Sequence, residues 1–374
     1  VLLSKNFFSF KKDKIASVVT GHPEATKVGK LILQKGGNAI DASLATQLAL
    51  AVCFPRAGNI GGGGFMIYRT QEGNTYSLDF REKAPIKSSK DMYLDSIGNI
   101  INGLSTYGKL SIGVPGTISG IFEAHKKFGS LSIEDIFNPA IELAKNGFSI
   151  NKIQAKLLNA YKDDFIKLNP NNNYFVKTKN WETGDILIQT DLAKTLTIIK
   201  NHGCKSFYNG VLTPKILSSL GTESILSKDD FLNYQSIWRD PIVTNINEYK
   251  IISMPPPSSG GIALSQLLIM IFNSDLQSLK HNSVKYIHLL VELEKLVYAD
   301  RSKYLGDMDF YNVPQHKLLN IDYNLSRLEQ FNPIKANQSE NIYPGQIPVQ
   351  ESEETTHFSI VDFDGNAVAI TTTL

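Results

Sequence analysis

The chain has 374 residues, 42% of them hydrophobic and 20% charged, with a formal net charge of +2. That length exceeds one simple core and suits one large or two ordinary domains. The near-balanced charge gives no footprint for nucleic acid or an anionic membrane, and the longest apolar run, "LALAVCF" at 48–54, is far short of a membrane span.

The start of the chain, Val1, fits a removed signal peptide and equally a trimmed start; export to the periplasm or medium is the expectation. Residues 22–53 read as two helices around a break. Ala25, Val28, Leu31 and Ile32 have helical spacing, and Gly36-Gly37-Asn38 supplies a stop. The second helix runs from near Ala39 to about Val52 and, with almost no charge after Asp41, should be buried on most faces. The glycine-rich "NIGGGGFMIYRT" (59–70) opens into a strand, and "TYSLDFREKAP" (75–85) is a second strand ended by Pro85. Residues 115–150 read as helical, with Pro115 and Pro139 at the helix starts. The Lys- and Asn-rich stretch 151–250 is expected at the periphery. A proline run then leads through Ser258-Ser259-Gly260-Gly261 into a buried helix, and 284–307 is amphipathic. Residues 320–352 read as polar loop. Cys53 and Cys204 match neither a metal spacing nor a disulfide framework, so pairing and free thiols are both open.

The last stretch, "ESEETTHFSIVDFDGNAVAITTTL" (351–374), reads as a Glu-Glu-Thr-Thr junction followed by a β-hairpin turning at Asp-Gly. A two-residue turn would pair Phe363 with Asn366. A three-residue loop with Gly365 left-handed pairs Asp362 with Asn366 instead. In that second register Thr355 lies opposite Thr373, and cross-strand partners share a face. One face then carries Thr355, His357, Ser359, Ala367, Ala369, Thr371 and Thr373. The other carries Phe358, Ile360, Val368, Ile370 and Leu374, a packing face.

This segment resembles the processing site of the γ-glutamyltransferases (γ-glutamyltranspeptidases), which are N-terminal-nucleophile hydrolases. The likeness extends over residues 15 to 374 through an ordered set of blocks: "GGNAIDASLATQLALAV" (36–52), "NIGGGGFMIY" (59–68), "LDFREKAP" (78–85), "GVPGTISGIFEAHKKFG" (113–129), "NPAIELAKNGFSI" (138–150), "PPPSSGGIALSQLL" (255–268) and "YADRSKYLGD" (298–307). The resemblance implies an α/β (α+β) fold, the four-layer αββα sandwich of these hydrolases, incomplete at its C-terminus. It implies self-cleavage between Glu354 and Thr355, with 1–354 as a large subunit and 355–374 as the first hairpin of a small one. It implies γ-glutamyl transfer from glutathione and related donors to water, amino acids or peptides, with no cofactor and no metal. Partners would be those small molecules and the rest of its own small subunit, not nucleic acid and not a membrane span.

In such an enzyme Thr355 would be the nucleophile twice: first on its own peptide bond, then on the donor. Its released α-amino group has a pKa of about 8 and would serve as the base. Thr373 corresponds to a threonine whose hydroxyl bonds the nucleophile's oxygen. Arg81 corresponds to the arginine that grips the donor's α-carboxylate, which a guanidinium can bind through both oxygens. Against that, Arg81 reads as a surface arginine paired with Asp79 or Glu82. Glycines 61–64 lack the Gly-Lys-Ser/Thr of a phosphate loop and are expected to permit close backbone packing near the cleft. Ser258-Ser259 has the wrong spacing for a nucleophile elbow and reads as a helix cap. His357 reads as packed in the hairpin, and Asp300-Arg301 as a structural ion pair. The rival readings are an acylase or a poly-γ-glutamate-processing hydrolase on the same scaffold, or a non-catalytic binding protein that keeps the fold.

Overall fold

The computed structural model describes residues 15–169, 174–345 and 356–373. The described residues fold as two compact units, one within 15–74, 78–237 and 356–373, the other within 75–77 and 238–345.

In the first unit a short strand β1 (Ser17–Val19) leads into α1 (Pro23–Gln34). The His22 side chain accepts from the Glu24 N–H and caps α1, while Pro23 takes the first turn, where its missing N–H costs nothing. Ala25, Val28 and Ile32 face inward as their spacing predicts, but Leu31, one step round the helix from Ile32, is 41% exposed. Gly36, at φ +88°, then turns the chain in the left-handed region. A reciprocal Asn38–Asp41 capping box starts α2 (Ala39–Cys53), and every residue of α2 is buried. Next come β2 (Gly63–Arg69), β3 (Thr75–Asp79), α3 (Thr117–Phe128) and α4 (Ile133–Asn146).

Two expectations fail here. Pro139 lies inside α4 and not at its start, because Ser132 accepts from the Asp135 N–H and sets the helix start a turn and a half earlier. The stretch after residue 150 is not merely peripheral: α5 (Thr190–His202) packs on α4 and buries Ala193, Leu196 and Ile199. Its Lys and Asn residues hide a stripe spaced by three.

The second unit opens with a hairpin, β4 (Ile242–Ile246) and β5 (Tyr249–Ser253), turned at Asn247 with φ +51°. Helices α6 (Gly260–Phe272) and α7 (Val284–Tyr304) follow. Leu289, Leu293, Leu296 and Val297 of α7 form a core with Met270 of α6 and Leu276. The expected loop after 320 instead contains α8 (Ile321–Leu328), capped by Asn320 and burying Asn324 and Arg327. Beside these two buried polar residues, Tyr323 and Leu328 pack against the apolar clusters of the unit. Asp300 and Arg301 do not pair with each other. Asp300 pairs with Arg327 at 3.2 Å, and Arg301 Nε donates to Ser259 Oγ at 3.0 Å. Neighbours in a helix point about 100° apart, so a side chain's partner comes from elsewhere. Ser259 stands at the N-cap of α6 but makes no side-chain cap hydrogen bond, contrary to the cap reading; the Gly260 N–H donates to Ser258 Oγ at 3.3 Å, a local turn contact just before the helix.

The chain returns to the first unit as a hairpin of β6 (Thr356–Val361) and β7 (Ala367–Thr373). This hairpin lies between β1 and β2, giving the antiparallel order β1–β6–β7–β2. Val361 pairs with Ala367 and Thr356 with Thr372, the three-residue-loop register. The Asp362 N–H donates to the Asn366 carbonyl at 3.0 Å, and Gly365 sits at φ +87°. Phe358, Ile360, Val368 and Ile370 are buried on one face, as alternation requires. The turn is tied to α2: Asp362 Oδ2 accepts from the Ala39 N–H at 3.0 Å, at the electropositive helix start.

Candidate active site

Glu354 and Thr355, the expected cleavage junction, lie outside the described residues. The hairpin that follows them is described, and its two faces differ in chemistry. On the small polar face, His357 Nδ1 is 2.9 Å from Thr371 Oγ1 and Nε2 is 3.1 Å from Ser359 Oγ. The imidazole thus links neighbouring hydroxyls within the hairpin, and desolvation pushes its pKa below the ordinary value. Thr371 stands across from Phe65 on β2, and Thr373 stands across from Gly63.

On the opposite face Thr372 is fully buried. Its Oγ1 donates to the Gly63 carbonyl at 2.9 Å and accepts from Asn59 Nδ2 at 3.1 Å. Asn59 Oδ1 in turn accepts from the Gly62 N–H at 2.9 Å and from Thr117 Oγ1 at 2.7 Å. One asparagine therefore binds the last strand, the glycine loop and the start of α3. The sequence reading did not single out Asn59, Thr117 or Thr372. The available signal was weak: an asparagine three residues before a glycine whose N–H it can accept.

The glycines work by close approach and not by unusual φ, since none of Gly61 to Gly64 is in the left-handed region. A Cβ on Gly64 would lie 2.3 Å from the Thr371 carbonyl oxygen, and one on Gly63 would lie 2.5 Å from the Phe80 carbonyl oxygen. Gly116 is tighter still, at 1.9 Å from the Phe80 oxygen. These contacts let the Gly62 carbonyl take the N–H groups of Gly116 and Thr117, at 2.7 and 3.0 Å, and hold α3 against the strand. Gly61 has open space around it.

Arg81 does not lie on β3, which stops at Asp79; it sits two residues beyond, in a segment bridged to the loop before α3 through Lys83 and Val114. Its main chain is fixed on both sides. The Arg81 N–H donates to Asp79 Oδ1 at 3.0 Å, and its carbonyl accepts from Tyr234 Oη at 2.8 Å. The guanidinium carbon lies 5.9 Å from the centre of the Phe65 ring. Among the described residues the Arg81 guanidinium makes no close ion pair with Glu82, although its charge still acts on the Glu82 carboxyl. Burial pushes the neighbouring Glu82 carboxyl above its ordinary pKa, opposed by the N–H groups of Glu82 and Gly63 and by Arg81. One of its oxygens, Oε1, is buried without a hydrogen-bond partner among the described residues. Burial likewise raises the Tyr234 hydroxyl, which stays a protonated donor.

Cys53 and Cys204 are both free thiols. No helix among the described residues is long and apolar enough to cross a membrane. Among the same residues no cluster of three His, Cys, Asp or Glu side chains could hold a metal.

Comparison with known proteins gives a consistent picture. The family model described as gamma-glutamyltranspeptidase matches residues 25–374. The chain is 41% identical to the glutathione hydrolase proenzyme of Escherichia coli over 97% of its own length and 63% of the relative's. It is 43% identical to the glutathione hydrolase proenzyme of Pseudomonas aeruginosa over 93% of its length and 62% of the relative's. It thus spans about three-fifths of the length of these curated relatives. The crystal structure of Helicobacter pylori gamma-glutamyltranspeptidase is similar at 42% identity and a TM-score of 0.85, covering 90% of this chain and 97% of that one. The architecture is mixed α/β, matching the αβ sandwich of the N-terminal-nucleophile hydrolases.

Proposed function

The chain belongs to the gamma-glutamyltranspeptidase family, and from that premise we propose that it is the greater part of a self-processing γ-glutamyltransferase and glutathione hydrolase. The observation that carries the proposal is the hairpin register, in which Thr356 pairs with Thr372. One further step of that register would set Thr355 opposite Thr373.

Self-cleavage would begin with Thr355 Oγ bonding to the carbonyl carbon of Glu354. The C–N bond breaks, the hydroxyl proton passes to the departing amine, and an ester links the two residues. Water hydrolyses the ester, leaving a Glu354 carboxylate, a restored hydroxyl and a free α-amino group. That amine, with a pKa of about 8, is close enough to neutrality to accept the hydroxyl's proton in the second reaction. There Oγ attacks the donor's γ-carbonyl carbon, the donor's amine departs with a proton, and water or an acceptor amine resolves the new ester. Thr373 would hydrogen-bond the nucleophile's oxygen. Arg81 would bind the donor's α-carboxylate, which a guanidinium can hold through both oxygens. Donors would be glutathione and related γ-glutamyl compounds; acceptors would be water, amino acids or peptides. Residues 1–354 would form the large subunit and 355–374 the start of the small one, in an enzyme exported from the cell.

The test is expression of the full-length precursor, followed by mass spectrometry of its products. A fragment beginning at Thr355, and an uncut chain for Thr355→Ala, are the expected results. A cut elsewhere overturns the mechanism. Cell fractionation checks the exported location.

A further inference from the structure

One face of the sheet in the first unit carries a row of side chains that runs across three strands. Thr371 of β7 stands across from His357 of β6 on one side and from Phe65 of β2 on the other. Cross-strand partners project to the same face, so His357, Thr371 and Phe65 lie side by side on it. The opposite face is core, where Phe358, Ile360, Val368 and Ile370 are buried together with Met66, the residue after Phe65. Phe65 is therefore the apolar member of a polar row, and it is only partly buried. The pairing of β2 continues past the end of β3: Gly64 and Phe80 exchange both main-chain hydrogen bonds, at 3.2 and 2.9 Å. Phe80 is buried, so alternation sends Arg81, the next residue, to the Phe65 side. A Cβ on Gly63 would lie 2.8 Å from the Arg81 carbonyl carbon, so the bare main chain there is what lets Arg81 come in beside Phe65. The guanidinium carbon ends 5.9 Å from the centre of the Phe65 ring.

We propose that Phe65 is a positioning residue for donor binding: its ring holds the Arg81 guanidinium on the polar face of the sheet, ready for the donor's α-carboxylate. The inference rests on the donor-binding role given to Arg81 above. Its physical basis is preorganisation. The Arg81 main chain is held by Asp79 and Tyr234, but those contacts do not direct the end of the side chain. An arginine side chain has many rotamers, and ordering it at the moment of binding takes away affinity. An aromatic ring attracts a guanidinium within about 6 Å of its centre, through the negative charge of the ring face. That attraction engages the flat face of a guanidinium and leaves its N–H edge open. The edge is the part that binds both oxygens of a carboxylate. An acidic neighbour would hold the arginine by the same edge and compete with the donor, whereas a ring holds it without competing. Phe65 acts here only through Arg81 and touches no reacting atom.

The experiment is a double-mutant cycle on the full-length, self-cleaved enzyme, read as kcat and KM for a γ-glutamyl anilide. Phe65→Leu removes the ring and keeps an apolar side chain; Phe65→Tyr keeps the ring. Each is made with Arg81 present and with Arg81→Ala. With Arg81 present, Phe65→Leu should raise KM about three- to tenfold and leave kcat unchanged, and Phe65→Tyr should keep the wild-type KM. With Arg81→Ala, Phe65→Leu should add nothing, because there is no guanidinium left to hold. If Phe65→Leu does not fold, Phe65→Met takes its place in the cycle. An unchanged KM in correctly cleaved Phe65→Leu overturns the inference. So does an equal rise in KM in both backgrounds, or a Phe65→Tyr variant as impaired as Phe65→Leu, since either would make Phe65 a packing residue alone. A wild-type precursor with no turnover of the anilide overturns the proposed function, and this inference with it. Raised KM in Arg81→Ala beside an unchanged KM in Phe65→Leu overturns this inference alone.

Discussion

Asn59 Nδ2 donates to Thr372 Oγ1 at 3.1 Å, joining side chains 313 positions apart in the chain. Thr372→Val keeps the shape of the side chain but removes the acceptor for Asn59 and the donor for the Gly63 carbonyl. A buried polar group left unmet costs about 1–3 kcal/mol, so the first unit should lose about that much stability. Urea unfolding followed by circular dichroism measures it, with Thr372→Ser as the control that keeps the hydroxyl. Equal midpoints for Thr372→Val and wild type would mean that the network contributes nothing.

Two glycines of similar appearance in the sequence should respond oppositely to the same change. Gly116→Ala places a methyl group 1.9 Å from the Phe80 carbonyl oxygen, a backbone atom that cannot swing away. Overpacking of this kind costs about 1–3 kcal/mol or more. Gly61→Ala meets open space and should leave the thermal midpoint nearly unchanged. Scanning calorimetry of the two variants checks the contrast, and a tolerated Gly116→Ala would show that α3 is not pressed onto the strand.

Arg81→Ala should leave self-cleavage intact and weaken donor binding, because cleavage involves no donor. A charge-assisted hydrogen bond contributes about 1.5–3 kcal/mol, so the Michaelis constant for a γ-glutamyl anilide should rise at least about tenfold. Arg81→Lys should recover only part of the loss, since an ammonium cannot bind both carboxylate oxygens in a planar fork. An unchanged Michaelis constant in correctly cleaved Arg81→Ala would assign the arginine to the surface.

The two thiols give a prediction in pH. Burial pushes Cys53 from 9.0 up to about 12 and Cys204 up to about 11. The folded chain therefore holds these protons more tightly than the unfolded chain. That contribution to stability is complete below pH 9, and it is lost as pH rises through the folded values. Native protein at pH 8 should resist iodoacetamide at both cysteines, and protein in 8 M urea, a condition chosen for the assay, should react at both. Urea midpoints should fall between pH 9 and pH 11. Rapid alkylation of native Cys53 would show that α2 opens.

Much of this was legible in the sequence because some signals are local. Asp-Gly between alternating strands specified the hairpin; a left-handed Gly365 suits either register, and what selects between them is the Asp362 N–H donating to the Asn366 carbonyl with Val361 opposite Ala367. The uncharged run after Asp41 specified a buried helix. What was not legible depends on partners brought together by the fold. Asn59 and Thr372 carry no spacing signal, and a threonine in a strand reads as β-propensity alone. Asp300 seemed to have its partner next door, yet the partner is Arg327, brought to it on the separate helix α8. Pro139 reads as a helix start only until the Ser132 cap is weighed against it.

The place of the terminal hairpin bears on how the protein comes to be made. Strands β6 and β7 lie between β1 and β2, so residues 17–19 find their neighbours only at residues 359–361. A nascent chain emerging from the ribosome can form α1, α2 and the second unit's helices from nearby residues, but this sheet must wait for strands synthesised more than three hundred residues after β1. Pairings of such long sequence separation form slowly, because the intervening chain must first be brought together. Until the hairpin arrives, β1 and one side of β2 keep unpaired edges, the kind of edge that can template pairing with another chain.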